Sequence, residues 1–191
     1  MNFNLNLHIK KILDQYLEIF KNEKNRFDIL KNQLNNNESI WIRSNFNWHV
    51  TASAFILSKD KKEFAIIHNI NLDKWLAPWW HWEEWDNEMY NNAKREAIEE
   101  TWINELDLFT WHLKNNFIPI DIDTHYIPEN PKKNEKEHYH HDFRYIFILK
   151  HETNNIKMQL EEIKWLKWMP LKEDIKNFSW NNVLAKIRDI C

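Results

Sequence analysis

The chain has 191 residues and a formal net charge of −3, so it is long enough for one domain with a hydrophobic core and lacks the strongly basic balance expected of a nucleic-acid-binding protein. Its single cysteine, Cys191, excludes an intrachain disulfide and fits a reducing compartment. Residues 1–11 lack an apolar segment followed by a small-residue cleavage site, and no apolar run approaches the length of a membrane span. We therefore expect a cytoplasmic protein without a membrane or nucleic-acid partner.

The composition contains no glycine and 12 tryptophans, although about 7% of the residues of an average globular protein are glycine. Several tryptophans stand where glycine is favoured: Thr101-Trp102-Ile103 ends a predicted helix, and Pro78-Trp79-Trp80-His81 forms a tight turn only with small residues. We infer that UGA codons read as glycine in the source organism have been written as tryptophan, which suits the Lys-, Asn- and Ile-rich composition of an AT-rich genome. The alternative is a protein truly rich in tryptophan, and the intact mass of the native protein distinguishes the two.

The sequence context divides the tryptophans into three groups. Those interpreted as glycine are Trp48, Trp79, Trp80 and Trp102. Trp75 and Trp168 lie in apolar, strand-like segments and are interpreted as genuine. The context leaves open Trp41, Trp82, Trp85, Trp111, Trp165 and Trp180.

The first 38 residues are predicted to form a helical arm. Apolar residues such as Ile9, Ile12 and Leu13 recur at helical spacing between residues 5 and 34, which predicts one long or two shorter amphipathic helices. Three asparagines at positions 35–37 end this pattern. We interpret residues 1–38 as a packing or dimerisation arm and residues 39–191 as the main domain.

The main domain begins with a predicted β-hairpin, in which β-rich runs at residues 49–58 and 63–68 are joined by a charged turn. A loop around Pro78 precedes a helix from about residue 87 to residue 101. Further strands are predicted at residues 105–113, 117–127, 140–149 and 163–169.

The C-terminal part contains a predicted loop at residues 128–137, where two prolines occur. Two short helices are predicted after it. These helices are expected near residues 171–177 and 179–190, the second with Ser179 as its N-cap. Strands and helices mix without strict βαβ alternation. The predicted fold class is therefore α/β, with a mixed sheet covered by helices.

Three glutamates form the most informative pattern on the predicted helix. Glu96, Glu99 and Glu100 stand at positions i, i+3 and i+4, so their carboxylates project from one face. Such a cluster is either a solvated face or a binding site for a hard divalent cation, which prefers oxygen ligands. The spacing alone favours the solvated face, but Arg95 before the cluster and aliphatic Ile103 after the predicted helix end favour the cation site.

The segment Arg95-Glu96-Ala97-Ile98-Glu99-Glu100-Thr101-Trp102-Ile103 resembles the second half of the Nudix box, the motif of the Nudix hydrolases. Trp102 stands at the glycine position of the motif, and Ala97 replaces an aliphatic residue.

The first half of the motif fits with a one-residue insertion. If Trp80 is the opening glycine, the isolated acid falls on Asp86, and eight residues rather than seven separate it from Arg95. Counting back from Arg95 gives Asn87 instead, beside Glu88. The roles of Asp86 and Glu88 stay open.

The resemblance implies an α/β/α sandwich with a mixed β-sheet, and hydrolysis of a pyrophosphate bond in a nucleoside diphosphate linked to another moiety. It implies Mg²⁺ or Mn²⁺ as the cofactor, with Glu96, Glu99, Glu100 and the carbonyl of Trp80 as metal ligands. One glutamate acts as the base, although the resemblance does not say which, and Arg95 holds the glutamates in position.

Residues 47–54, 75–81 and 140–145 also resemble segments of a Nudix subgroup, so the resemblance covers roughly residues 45–170. Within these segments, we expect His81, His140 and Asp142 to contact the small-molecule substrate.

A second metal site at His138, His140, His141 and Asp142 is an alternative to these substrate-lining or structural roles. His138 and His140 share one face of a strand and His141 takes the other, so only part of this cluster can converge.

The sequence leaves two alternatives to the hydrolase. A catalytically silent Nudix-like regulator that binds a nucleotide is one, and the complete acidic triplet argues against it. An isomerase resembling the isoprenyl diphosphate isomerases is the other, but these use a catalytic cysteine within the fold and Cys191 is terminal. The sequence identifies neither the nucleoside diphosphate derivative nor whether the protein is a homodimer.

Overall fold

The computed structural model describes residues 5–45, 48–81, 87–131, 134–151, 163–172 and 180–191. Within these ranges the chain folds into one mixed β-sheet with helices on both faces. None of the helices in the described ranges is long and apolar enough to cross a bilayer.

The N-terminal arm consists of two helices, as one of the two predicted arrangements expects. They are α1 (Leu5–Ile19) and α2 (Asp28–Asn35), with a 3₁₀ segment (Lys21–Phe27) between them. The buried face of α1 includes Ile9 and Leu13, which belong to the same hydrophobic cluster as residues of the sheet. The arm thus packs onto the sheet, and its treatment as a separate unit of 38 residues stays a prediction.

The strands of the described residues form one eight-stranded sheet. They are β1 (Trp48–Leu57), β2 (Glu63–Asn69), β3 (Lys74–Leu76), β4 (Trp79–His81), β5 (Leu106–Leu108), β6 (Asp121–Ile127), β7 (His138–Leu149) and β8 (Ile163–Pro170). The main order is β3-β2-β1-β7-β5, while β4 pairs with β1, β6 with β7 and β8 with β2.

The centre of the sheet is the parallel pair β1 and β7, which runs in register from Trp48 opposite Tyr139 to Leu57 opposite Ile148. The other pairings in the described residues are antiparallel, so the sheet is mixed as predicted. Nearly all of β1 is buried because helices cover both faces of the sheet at this point.

The remaining helices are α3 (Met89–Thr101), α4 (Thr110–Lys114) and α5 (Asn181–Ile190). Successive β1 residues point to opposite faces of the sheet. Ala52 and Ala54 therefore pack in one cluster with Ala93 and Ala97 of α3, whereas Phe55 packs in a second cluster with Val183, Leu184 and Ile187 of α5. Each large apolar side chain buried in this way contributes roughly 1.5–3 kcal/mol to stability.

Most predicted elements are confirmed, with differences at three places. The hairpin at residues 49–68, the helix that ends at residue 101 and the later strands at residues 140–149 and 163–169 are present. The strand predicted at residues 117–127 begins only at Asp121, because Asn116 and Phe117 form a turn with positive φ angles. The predicted strand at residues 105–113 is wrong over its second half, where α4 forms because the His112 ring bonds to the Ile118 carbonyl oxygen (2.7 Å) and accepts from the Ile146 N–H (2.9 Å).

The predicted tight turn at residues 78–81 is also wrong, because Trp79, Trp80 and His81 are extended and pair with β1 as strand β4. The predicted helix at residues 171–177 falls largely outside the described residues, as does its neighbour Ser179. Helix α5 is the predicted last helix, and its N-cap position is Trp180.

Candidate active site

Helix α3 buries one face against the sheet, and this face carries both apolar and polar side chains. Its buried positions recur every three or four residues and are Met89, Asn92, Ala93, Glu96, Ala97, Glu100 and Thr101. Glu96 and Glu100 are only 3% and 2% exposed, whereas the Glu99 side chain is 55% exposed. Two of the three glutamates are therefore inside the protein and the third lies at the surface.

Arg95 is the immediate partner of these acids. Its guanidinium contacts a carboxylate oxygen of Glu96 and lies 3.4 Å from an oxygen of Glu99. These charge-assisted contacts hold Glu96 and Glu99 on the same side of the helix.

The first turns of α3 are tied to strand β4. The Asn92 amide donates a hydrogen bond of 2.8 Å to the carbonyl oxygen of His81. Strand β4 is held in turn by β1, with Trp80 opposite Ala52 in an antiparallel register. The backbone of Trp80 therefore belongs to the strand to which α3 is attached.

Helix α3 ends as the motif predicts. Trp102 follows Thr101 in the left-handed conformation, with φ 58° and ψ 18°, and its N–H donates to the Ile98 carbonyl oxygen at 2.7 Å. Glycine adopts this conformation freely, whereas a residue with a Cβ pays roughly 1–2 kcal/mol. The backbone at position 102 thus has the geometry expected of glycine, and the identity of the native residue stays a prediction.

A cluster of histidines lies on the opposite face of β1 from the α3 contacts. His49 of β1 stands opposite His140 of β7, and His125 of β6 also stands opposite His140. The ring centroids of His49 and His140 are 4.5 Å apart, and those of His138 and His140 are 4.8 Å apart. His81 adds a further ring, 4.9 Å from His49.

Three of these residues bring their ring nitrogens together. His49, His138 and His140 are buried, and one nitrogen from each lies within 4.8 Å of the other two. Among the described residues this is the one set of three His, Cys, Asp or Glu side chains with such convergence. Burial lowers the pKa of His49 to about 4 and lowers the pKa of His140 well below its ordinary value, so both rings are neutral near pH 7.

His141 points away from this cluster, as the alternation along a strand predicts. Its two ring nitrogens lie 2.9 Å from the Gln33 side-chain oxygen on α2 and 2.9 Å from the Thr124 hydroxyl on β6. Burial lowers its pKa to about 3. It therefore connects the arm to the sheet in the neutral form.

Asp142 belongs to a buried network around Arg144. The Arg144 guanidinium lies 3.0 Å from Asp142, 3.1 Å from Asp121 and 2.8 Å from Asp123. The Ser53 hydroxyl also donates to Asp142 at 2.7 Å. Burial lowers the pKa of Arg144, but the three carboxylates raise it more, so the pKa lies above its ordinary value.

Two pockets open on this face of the sheet. The larger has a volume of ≈ 220 Å³, and its lining includes Phe55, Trp79, Asp142, Arg144 and Trp180. The smaller has a volume of ≈ 50 Å³, and its lining includes Arg43, His81, Glu135, His138 and His140. The described lining of neither pocket includes a glutamate of α3.

The structure therefore separates the predicted site residues into three groups. Arg95, Glu96, Glu99 and Glu100 are together on α3, His81 and His140 line the smaller pocket, and Asp142 lines the larger one. Asp86 lies outside the described residues, and the Glu88 carboxylate contacts His8 of the arm at 3.2 Å.

The sequence reasoning missed His49 as a neighbour of His140 and missed Arg144 as the centre of an acidic network. Only the register of the parallel pair β1 and β7 brings His49 to His140 across 91 positions of sequence, and no local pattern encodes that register. The alternation Asp121, Asp123 and Asp142, Arg144 on two strands was the available signal for the network.

Comparison with known proteins gives similarity in structure only. No family model matches the sequence, and no curated protein matches it. An Ap4A hydrolase from C. elegans, solved as a binary complex, superposes with a TM-score of 0.54 at 18% identity, covering 74% of this chain and 96% of its own. A NUDIX-family hydrolase from Clostridium perfringens superposes with a TM-score of 0.52 at 22% identity, covering 75% of this chain and 98% of its own. The chain therefore has the Nudix fold, an α/β/α sandwich with a mixed sheet and an added N-terminal helical arm.

Proposed function

We propose that the protein hydrolyses a pyrophosphate bond in a nucleoside diphosphate linked to another moiety, with Mg²⁺ or Mn²⁺ as its cofactor. The observation that carries this proposal is the position of the acidic motif: Arg95, Glu96, Glu99 and Glu100 lie on α3 of a Nudix fold, in the order that the Nudix box requires.

The donor set fits a hard divalent cation. Glu96, Glu99 and Glu100 supply carboxylate oxygens, and the carbonyl of Trp80 adds a backbone oxygen on the strand to which α3 is tied. When bound, the cation offsets the negative charge of the diphosphate and lowers the pKa of a coordinated water.

The protein's own residues position these groups. Arg95 holds Glu96 and Glu99 by charge-assisted contacts, and the packing of α3 against β1 and β4 fixes the helix that carries them. One of the three glutamates accepts the proton of the attacking water. Holding the groups in place before the reaction reduces the entropic part of the barrier.

We place the nucleoside part of the substrate in the larger pocket, which opens on the face of the sheet opposite α3 and whose described lining contains none of the α3 glutamates. Phe55 gives this pocket an aromatic wall, as does Trp180 if that tryptophan is genuine, and such walls pack well against planar rings. Trp79 of this pocket is followed directly by Trp80, the proposed carbonyl ligand. His81, His140 and Asp142 remain the proposed polar contacts to the substrate.

A catalytically silent nucleotide-binding regulator is the second candidate. The observation that favours it is the pairing of Arg95 with two of the three acids, since an ion pair of this kind also stabilises a helix without any metal. The regulator binds a nucleotide tightly and releases no phosphate-containing product.

Nucleotide sugars, dinucleotides, ADP-ribose and nucleoside triphosphates, incubated with Mg²⁺ or Mn²⁺, test the proposal. Two versions of the protein are made, one with the sequence unchanged and one with glycine at positions 48, 79, 80 and 102. We expect turnover that EDTA abolishes and added Mg²⁺ restores. We also expect a loss on the order of 100-fold or more in Glu99→Gln and Glu100→Gln, because each change removes an anionic metal ligand.

Glu105→Gln is the matched control, because Glu105 is an exposed glutamate just beyond α3 whose carboxylate contacts His151. It should retain full turnover. Undiminished activity in both Glu99→Gln and Glu100→Gln contradicts the proposed metal site, and tight nucleotide binding without any product supports the regulator instead.

A further inference from the structure

We propose that His49, His138 and His140 form a second metal site, which takes a divalent transition-metal ion of the Zn²⁺ type and is independent of the cation proposed at the α3 glutamates. The three residues come from β1 and β7, and each is no more than 4% exposed. Their converging nitrogens, all within 4.8 Å of one another, are the geometric basis of the site.

The hydrogen bonds around two of the rings fix which nitrogen is available to a metal. The Nδ1 of His49 lies 3.0 Å from the Asn45 carbonyl oxygen, and the Nδ1 of His138 lies 2.7 Å from the Lys136 carbonyl oxygen. A carbonyl oxygen can only accept, so both Nδ1 atoms carry the proton and both Nε2 atoms present a lone pair. A ring N–H that donates to a backbone carbonyl is the usual support of a metal-binding histidine.

The lone pair of His49 lacks a hydrogen-bond partner within the described ranges, whereas the Nε2 atom of His138 lies 2.9 Å from that of His140. The Nε2 atom of His49 is buried and has no hydrogen-bond partner among the described residues. The Nδ1 atom of His140 is likewise buried without a partner in the described chain. A buried polar atom without a partner destabilises the fold, so a bound ion that accepts the His49 lone pair removes that penalty.

The spacing needs only small ring movements to hold an ion. The Nε2 atoms of His138 and His140 are 2.9 Å apart. Zinc–nitrogen bonds are about 2.0–2.1 Å long, so two nitrogens in a tetrahedral zinc site stand roughly 3.3 Å apart. Strand β7, which carries His138 and His140, is paired on both sides by β1 and β6, which leaves side-chain rotation to make the adjustment.

The donor chemistry distinguishes this site from the glutamates. Three imidazole nitrogens favour Zn²⁺ and related transition metals, whereas carboxylate oxygens favour Mg²⁺ and Mn²⁺. The alternation along β1 also places the sites on different faces of the sheet, because His49 points away from the face on which Ala52 packs with α3.

Three histidines leave a fourth coordination position, and the smaller pocket leads to it. His138 and His140 line this pocket together with His81 and Arg43. A water molecule or an anionic group that enters the pocket therefore completes the coordination. His140 then contacts such a ligand through the metal rather than directly.

The test is a Zn²⁺ titration of metal-stripped protein in excess Mg²⁺, which occupies the carboxylate site. We expect one Zn²⁺ per chain, and with Co²⁺ as a replacement ion we expect the visible absorption of a four-coordinate, nitrogen-ligated site. His49→Gln and His138→Gln should each weaken Zn²⁺ binding on the order of 100-fold or more, since each removes one ligand.

Two controls separate this site from other effects. His125→Gln removes a histidine whose ring lies 5.7 Å from that of His140 but which is outside the converging set, so it should bind Zn²⁺ as the unchanged protein does. Glu100→Gln should also keep its Zn²⁺ while losing Mg²⁺-dependent turnover, so the two metal proposals fail separately.

X-ray absorption of the zinc-loaded protein without substitutions measures the number and type of zinc ligands even if a variant fails to fold. At least three imidazole nitrogens at about 2.0 Å support the site. Fewer than three imidazoles, no Zn²⁺ retained in excess Mg²⁺, or equal binding by folded His49→Gln and His138→Gln proteins overturns it and leaves a hydrogen-bonded histidine cluster.

Discussion

Two groups of three carboxylates lie on opposite faces of the same sheet, and their counterions differ. Asp121, Asp123 and Asp142 surround Arg144, and Lys186 adds a contact of 2.7 Å to Asp121. Glu96, Glu99 and Glu100 lie on α3, where Arg95 contacts the first two. The three aspartates thus surround the guanidinium of Arg144. The glutamates are contacted from one side by the guanidinium of Arg95.

This difference separates a structural ion network from a candidate binding site. Buried carboxylates are tolerated when positive groups of the protein compensate them, and removing such a group leaves uncompensated charge. A stripe of carboxylates with one of its members at the surface is instead accessible to an ion from solution. The comparison predicts that the aspartate network governs stability and that the glutamate stripe governs activity.

The largest effect is expected from Arg144→Met. The guanidinium is 3% exposed and contacts three carboxylates, so its loss removes the cationic partner of the buried Asp142 and leaves Asp121 and Asp123 with fewer positive neighbours. We expect the free energy of unfolding to fall by about 3–5 kcal/mol, measured by urea denaturation.

Arg26→Met is the control for this change. Arg26 approaches Asp121 and Asp123 at 3.4 Å and 3.6 Å, but its side chain is 32% exposed and water can replace it. A loss no greater than about 1 kcal/mol is expected. Equal losses in both variants contradict a special role for the buried guanidinium.

The second effect concerns acid stability and Asp123. Burial raises its pKa, but the His125 hydrogen bond and the charges of Arg144, His125 and Arg26 lower it more, to about 2. Because the pKa in the folded protein lies below the unfolded value of about 3.9, the carboxylate stabilises the fold above about pH 4, and this contribution disappears as the pH falls to about 2.

Asp123→Asn should therefore lower the free energy of unfolding by about 2 kcal/mol at pH 7 and by progressively less between pH 4 and pH 2. Urea denaturation of the two proteins across this range measures the difference. A difference that stays constant with pH shows that packing or hydrogen bonding at this position, rather than its charge, carries the effect.

The acidic helix was predictable because its information is local. The spacing of Glu96, Glu99 and Glu100 and the glycine position at Trp102 lie within seven residues, and periodicity with helix-ending rules suffices to interpret them. The mixed sheet followed from the mixture of strand and helix patterns in the same way.

The histidine trio and the aspartate network were not predictable because they depend on strand register. His49 meets His140, and Asp121 meets Arg144, through pairings between strands that are far apart in sequence. A shift of one residue moves each side chain to the other face, so patterns within a strand cannot identify its neighbours. Strand β4 shows the same limit, since its pairing with β1 replaced the predicted turn.

The smallest effect on stability is expected from Arg95→Met, which removes the positive group beside the glutamates. The Arg95 side chain is 23% exposed and its partner Glu99 is 55% exposed, so solvent screens part of the interaction. The free energy of unfolding should change by no more than about 1 kcal/mol. The kcat should nevertheless fall on the order of tenfold, because Glu96 and Glu99 lose the contacts that position them.

A readout beyond stability separates positioning from a simple surface ion pair. If Arg95 orients the glutamates, Arg95→Met should alter the Mg²⁺ concentration that gives half-maximal turnover. Arg95→Lys should restore only part of the kcat, because an ammonium group cannot reproduce the paired donors of a guanidinium. If Arg95→Met changes neither kcat nor the Mg²⁺ dependence, Arg95 only forms an ion pair on the helix surface. Such a result contradicts its role in the proposed active site.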